Sequence, residues 1–172
     1  AHPERPERVS YTVEHLKKSG LWKKIRHNNG RLATVDELGK IHHPNYVKRV
    51  LSARENPNNV NMFRDIFATV DTPDAACVSV GMALQVAEDV LNGHTKHAFV
   101  LCRPPGRHAQ YKKASGFCFF NNVVFAAKTL IEAGKKVLIF DWDVHHGDGT
   151  TSLIRGKENI QLVTIQRHDS GK

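Results

Sequence analysis

Four consecutive apolar residues, Val137-Leu138-Ile139-Phe140, run directly into Asp141-Trp142-Asp143-Val144-His145-His146. A strand with one wet face alternates apolar and polar residues, whereas an unbroken apolar run belongs to a strand covered on both faces. Lys136 to Phe140 is therefore read as a buried strand, and Ile160 to Ile165 as a second. His97-Ala98-Phe99-Val100-Leu101 reads as a third, shorter one. Helical patterns separate them, which is the signature of an α/β chain: a parallel, doubly wound sheet with helices on both faces. In such sheets ligands bind beyond the carboxyl ends of the strands. Two loops are singled out by that rule, one after Leu101 and one after Phe140.

The helices carry their own punctuation. Pro6 to Ser19 is expected to be helical, with Val9, Val13 and Leu16 on one face and Gly20 closing it. Thr34-Val35-Asp36-Glu37 has the capping-box spacing of a helix start. Asn45 to Ala53 suits another helix, followed by a loop at Asn56-Pro57-Asn58-Asn59. Thr72-Pro73-Asp74 opens a longer helix through Val78, Met82, Val86 and Val90 to a stop at Gly93, with Thr72 as its cap. After a Pro104-Pro105-Gly106 turn, Asn121 to Ala133 is helical, with Val124, Ala127 and Ile131 inward and Gly134 ending it.

Composition narrows the function classes. With 40% apolar and 24% charged residues in 172, the chain has material for a core. No apolar run approaches the roughly 20 residues of a membrane-spanning helix, and the polar opening Ala1-His2-Pro3-Glu4-Arg5 has no secretory h-region. The formal charge is +8, but its lysines fall in scattered pairs such as Lys17-Lys18 and Lys112-Lys113 with no interleaved aromatics, so a dedicated nucleic-acid site is not expected. Cys77, Cys102 and Cys118 form no C-x-x-C pair and are read as reduced thiols of an intracellular protein.

The unusual chemistry lies in the two loops. In extended backbone, residues two apart share a side, so Asp141, Asp143 and His145 can converge. Two carboxylates and an imidazole at the end of a buried strand call for a cation, and their donor atoms suit Zn²⁺, Mn²⁺ or Fe²⁺. A lone D-x-D is more often a polar strand end; the longer string through Gly147-Asp148-Gly149 is what favours a metal. In the first loop, Arg103-Pro104-Pro105-Gly106-Arg107-His108, the imidazole of His108 is a candidate general base, and Asp148 a candidate partner to orient it. Phe117, in Gly116-Phe117-Cys118-Phe119-Phe120-Asn121-Asn122, is a candidate wall for a narrow apolar slot.

Taken together, His2 through Arg8, Arg103 through Gly106, Gly116 through Asn121 and Asp141 through Gly149 resemble the zinc-dependent histone deacetylase family, class II members and bacterial amidohydrolase relatives above all. The resemblance implies an arginase/deacetylase-like three-layer fold, incomplete at its carboxyl end, with residues 1–172 as the N-terminal portion of a single catalytic domain. It implies hydrolysis of the acetyl amide of acetyl-lysine by a metal-activated water. Asp143 and His145 would be zinc ligands, with a third ligand and an oxyanion tyrosine beyond Lys172. His108 would be the general base and acid with Asp148 behind it, and Asp141 would support the metal loop. A structural K⁺ would be held at Asp141, Asp143, His145 and Thr164, while Gly116 and Phe117 would line the substrate channel. The implied partners are acetylated histone tails or other acetyl-lysine proteins and corepressor-type proteins, in nucleus or cytoplasm; neither nucleic acid nor membrane is implied.

Two positions depart from the pattern. The family normally places two histidines in the first loop, and here the first is Arg107, which stays protonated and cannot act as a base. Arg107 is expected either to supply positive charge by pairing with Asp141 or to block the metal. Gln166-Arg167-His168 also departs, where class II relatives begin with His. Three alternatives therefore stand beside the protein deacetylase: a small-amine deacetylase of the acetylpolyamine type, a catalytically impaired scaffold that binds acetyl-lysine, and, on the D-x-H-H string alone, a metal-dependent phosphoesterase.

Overall fold

The computed structural model describes residues 2–61 and 65–167. His168, singled out above, lies outside them. The order of elements is α1 (Glu7–Lys18), α2 (Val35–Gly39), α3 (Pro44–Leu51), α4 (Asn58–Asn61), α5 (Thr72–Leu91), α6 (Asn122–Glu132), β1 (Val137–Asp141), α7 (Asp148–Ile154) and β2 (Ile160–Thr164). Among the described residues no helix is long and apolar enough to cross a membrane.

Strands β1 and β2 pair in parallel, with Val137 opposite Ile160 and Asp141 opposite Thr164. α7 forms the crossover between them, so the chain is α/β with a parallel sheet. The inward residues Ile139, Ile160 and Leu162 meet the helical layer, whereas Leu138, Phe140 and Val163 point to an exposed face. Helices thus cover one face of this two-stranded sheet among the described residues; the second layer implied by the apolar run is not among them.

Local sequence accounts for the helix ends. Thr34 accepts from the Glu37 N–H while Glu37 Oε2 accepts from the Thr34 N–H, a complete capping box. Asn121 caps α6 by accepting from the Val124 N–H at 3.2 Å. Gly20, Gly93 and Gly134 follow their helices with positive φ.

Three expectations need correction. His97 to Leu101 is not a strand: its residues are extended or irregular, Phe99 is largely exposed, and no described strand offers it a ladder. An apolar run becomes a strand only where a partner satisfies its backbone. The loop at Asn56–Asn59 contains the start of α4, initiated by Asn56, whose side chain accepts from the Asn58 N–H. Thr72 lies inside α5, and the N-cap position is Asp71; the Thr72 hydroxyl instead accepts from the Thr69 N–H.

The core forms where α5 and α6 pack together over α2, α3 and α4, around Leu38, Val47, Val50, Val60, Val80, Phe120 and Phe125. The buried stripe of α5 is Pro73, Ala76, Cys77, Val80, Leu84 and Ala87. Met82 and Val86, one face over, line a cavity of about 660 Å³ with Val9, Val13, Leu16 and Phe99.

Within this core sits a fully buried histidine. His42 Nδ1 donates to the Gln110 carbonyl (2.9 Å), and its Nε2 accepts from the Asn121 N–H (3.0 Å). Burial pushes its pKa from 6.5 down to about 4, against the opposing pull of the Gln110 and Tyr111 carbonyls. Between those two pH values the unfolded chain binds a proton that the folded chain refuses, so stability falls as pH drops from 6.5 towards 4. The loss reaches about 3 kcal/mol. Urea unfolding across this window should show that slope, and His42→Asn should remove most of it; an unchanged slope in the variant would contradict the assignment.

Candidate active site

The first loop is positioned by buried polar groups from two helices. The Asn121 side chain donates to the carbonyls of Arg107 and Ala109, each at 3.1 Å. Thr150, in α7, donates to the same Arg107 carbonyl through its N–H (3.0 Å) and its hydroxyl (3.1 Å). From the other side, Cys118 Sγ accepts from the N–H groups of Arg107 and His108, each at 3.4 Å. Burial raises the Cys118 thiol above its ordinary pKa, so it serves here as a neutral packing group. All three cysteines are free thiols.

This frame aims His108 at Asp148. His108 Nδ1 lies 2.7 Å from Asp148 Oδ1, and Gln110 donates to the other carboxylate oxygen at 2.9 Å. Burial alone would raise the Asp148 pKa; the hydrogen bonds from His108 and Gln110 outweigh it and hold the carboxyl below its usual range. The second ring nitrogen, Nε2, is 2.6 Å from Arg107 Nη1. A guanidinium has donors only, so Nε2 must be the acceptor and the ring proton sits on Nδ1, facing Asp148.

Arg107 occupies the middle of the cluster with its side chain only 15% exposed. Its Nε donates to Asp141 Oδ2 at 2.9 Å, Nη1 lies 3.3 Å from Asp143 Oδ1, and Nη2 donates to the His145 carbonyl. Asp141 Oδ1 also accepts from the Asp143 N–H (3.1 Å), which fixes the turn out of β1. Asp143 Oδ1 accepts from the His145 N–H (2.8 Å) and faces His145 Nδ1 at 2.9 Å. Burial pulls the Asp143 pKa up, but the His145 hydrogen bonds and the Arg107 charge bring it net below the ordinary value.

The donors expected to hold a metal do not fit one as arranged. His145 Nδ1 and Asp143 Oδ1 are 2.9 Å apart, close enough to share a cation, but Asp143 Oδ1 also faces the Arg107 guanidinium at 3.3 Å. A unit charge about 4 Å from a cation costs about 4 kcal/mol at a near-surface effective dielectric, and a divalent ion doubles that. Among the described residues no group of three or more His, Cys, Asp or Glu side chains is placed to hold a metal ion. Of the residues named for potassium, Asp141 stands opposite Thr164, and Asp143 and His145 follow on the same loop. Of their carbonyls, that of Asp141 accepts from the Ile165 N–H and that of His145 from Arg107.

Gly116 and Phe117 are the central residues of a tight turn closed by reciprocal Ser115–Cys118 backbone bonds. Both have positive φ, +53° and +67°. Glycine is required at 116, where a Cβ would come within 2.5 Å of the His108 ring. At 117 the phenylalanine bears a cost of order 1 kcal/mol for that conformation. The His2 ring meets Phe117 edge-on, with centroids 5.0 Å apart. Nearby, buried Glu4 pairs with Arg103 at 2.7 Å and with Arg8, which ties the amino-terminal motif to the first loop.

The structure therefore gathers Arg107, His108, Asp141, Asp143, His145, Asp148, Gly116 and Phe117 into one place at the end of β1. Sequence reasoning missed His42, Gln110, Thr150 and the capping role that lets Asn121 hold the loop. Of these only Asn121 carried a readable signal, since it precedes an apolar helical run where an N-cap belongs.

The histone deacetylase domain profile matches residues 2–172. The chain is 36% identical over 181 residues to "Histone deacetylase 6" of Caenorhabditis elegans, covering 99% of this chain and 19% of that protein. It is 34% identical over 176 residues to the human "Polyamine deacetylase HDAC10", covering 98% of this chain and 26% of that one. Among solved structures it superposes on the crystal structure of the HDA15 HD domain with a TM-score of 0.92 at 35% identity, covering 97% of this chain and 47% of that chain. The chain thus spans less than half the length of the proteins it matches.

Nitrogen-detected NMR should show the His108 ring proton on Nδ1, facing Asp148. A ring protonated only on Nε2 would contradict it.

Proposed function

The chain belongs to the histone deacetylase family, and from that membership we propose that the protein hydrolyses the acetyl amide of an acetylated lysine side chain, with residues 1–172 forming the N-terminal portion of its catalytic domain. The observation that carries this reading is the His108–Asp148 pair at 2.7 Å beneath the Gly116-Phe117 turn.

Amide hydrolysis needs a base to take a proton from water and an acid to return one to the departing nitrogen. His108 suits both roles, because its Nε2 lone pair faces the cluster while Asp148 orients the ring and stabilises the imidazolium once Nε2 has taken its proton. Gln110 holds Asp148 in turn. The exposed edge of the Gly116-Phe117 turn offers an apolar wall for the aliphatic stem of lysine, placing its amide near His108. Zinc enters this reading at Asp143 and His145 only where Arg107 leaves Asp143. A structural potassium ion would be held by Asp141, Asp143, His145 and Thr164, where it would brace the loop that carries Asp148. Acetylated histone tails and other acetyl-lysine proteins are the proposed partners, along with corepressor-type proteins.

Arg107 favours one further reading: an acetyl-lysine-binding scaffold of low turnover, since its Nη1 caps the lone pair that a base would use. A small-amine deacetylase is also supported, by similarity to a protein named as a polyamine deacetylase.

The full-length protein, assayed on an acetyl-lysine peptide and an acetylpolyamine, separates these three. The first reading expects turnover of the peptide, and His108→Ala is expected to lower it by about two orders of magnitude or more. Near-normal turnover in that variant would reject His108 as the acid–base group. Peptide binding without turnover would identify the scaffold, and preference for the polyamine the small-amine enzyme.

A further inference from the structure

We propose that Arg107 is a tethered cation standing in the metal position, so that a divalent ion can load this site only when the guanidinium swings out. The proposal rests on the deacetylase reading only in taking Asp143 and His145 as the metal's ligands.

Three lines of geometry support it. The guanidinium engages Asp143 Oδ1, the expected metal ligand, at 3.3 Å, and with it Asp141 Oδ2 at 2.9 Å, His108 Nε2 at 2.6 Å and the His145 carbonyl. Every N–H-bearing nitrogen of the side chain therefore has a partner inside the cluster. The space for it is built in as well. A Cβ at Gly147 would lie 2.7 Å from Asp141 Oδ2 and 3.3 Å from Arg107 Nη2, so a side chain there would crowd the ion pair.

The third line concerns what can move. The Arg107 backbone is clamped, its carbonyl by Thr150 and Asn121 and its N–H by Cys118. Vacating the site is thus a matter of side-chain rotation, with the loop and His108 left in place. Metal and guanidinium compete for Asp143, and the apparent metal affinity is the intrinsic affinity multiplied by the fraction of molecules with Arg107 out. Departure of the guanidinium would do two things together: free Asp143 and uncap the His108 lone pair. A histidine at 107 could pair with Asp141 without carrying a permanent positive charge towards the metal.

The test is Zn²⁺ titration of the full-length apoprotein against a chromophoric chelator, with Arg107→His, Arg107→Gln and the double variant Arg107→His/Asp143→Ala compared to wild type. The expected result is a wild-type affinity at least 100-fold weaker than that of Arg107→His, with Arg107→Gln also tighter than wild type and with no comparable site in Arg107→His/Asp143→Ala. Wild-type affinity within threefold of both Arg107 variants would overturn the proposal. Because either variant alone supplies the comparison, misfolding of one does not spoil the test. Deacetylation of an acetyl-lysine peptide is read in parallel. A variant that gains zinc without turnover counts against the deacetylase reading and leaves the displacement standing. Tight zinc binding and turnover by the wild type would overturn the displacement and support the deacetylase.

Discussion

The buried side chain of Asn121 is the junction on which the site depends. Its amide nitrogen donates to the carbonyls of Arg107 and Ala109, and its oxygen caps α6. Its own N–H is bound by His42 from the other side of the core. One residue thus joins the first loop, the helix that covers β1 and the packing of α2 and α3. Each of these polar groups is buried, where an unmade hydrogen bond costs about 1–3 kcal/mol, so the arrangement admits little slack. His108 inherits its position from that rigidity: its backbone is held by Cys118 and its ring by Asp148.

Charge is the second organising constraint. Asp141, Asp143 and Asp148 lie within one cluster and would repel one another without positive partners. Arg107 supplies the charge for the first two, while the His108 ring and Gln110 supply donors to the third. A permanently protonated side chain satisfies the same carboxylates that a metal would, from within the chain and without a loading step.

Much of this was legible in sequence because local rules govern it. Thr34 and Glu37 form their capping box from spacing alone, and the runs at Val137 and Ile160 pair as parallel strands. Asp141, Asp143 and Asp148 follow one another along a strand end and a short helix, so their grouping needed little long-range information. His97 to Leu101 failed for the complementary reason: its apolar pattern names a strand, but pairing depends on a neighbour that no described residue supplies. His42 and Thr150 were invisible because their roles lie in contacts with residues 79 and 43 positions away.

The sequence by itself determined the α/β class, the family, and the candidate residues for proton transfer and cation binding, since each is written in short motifs with local geometry. It also exposed Arg107 as the departure, with two opposed expectations for it. Only the tertiary structure places the side chain: the guanidinium pairs with Asp141 and at the same time turns onto Asp143 and His108. That outcome follows from where the loop is pinned, because a backbone fixed by Asn121, Thr150 and Cys118 leaves the Arg107 side chain within reach of the half-buried Asp141 and the exposed Asp143. No spacing along the chain encodes that reach; the packing of α6 and α7 against the loop creates it.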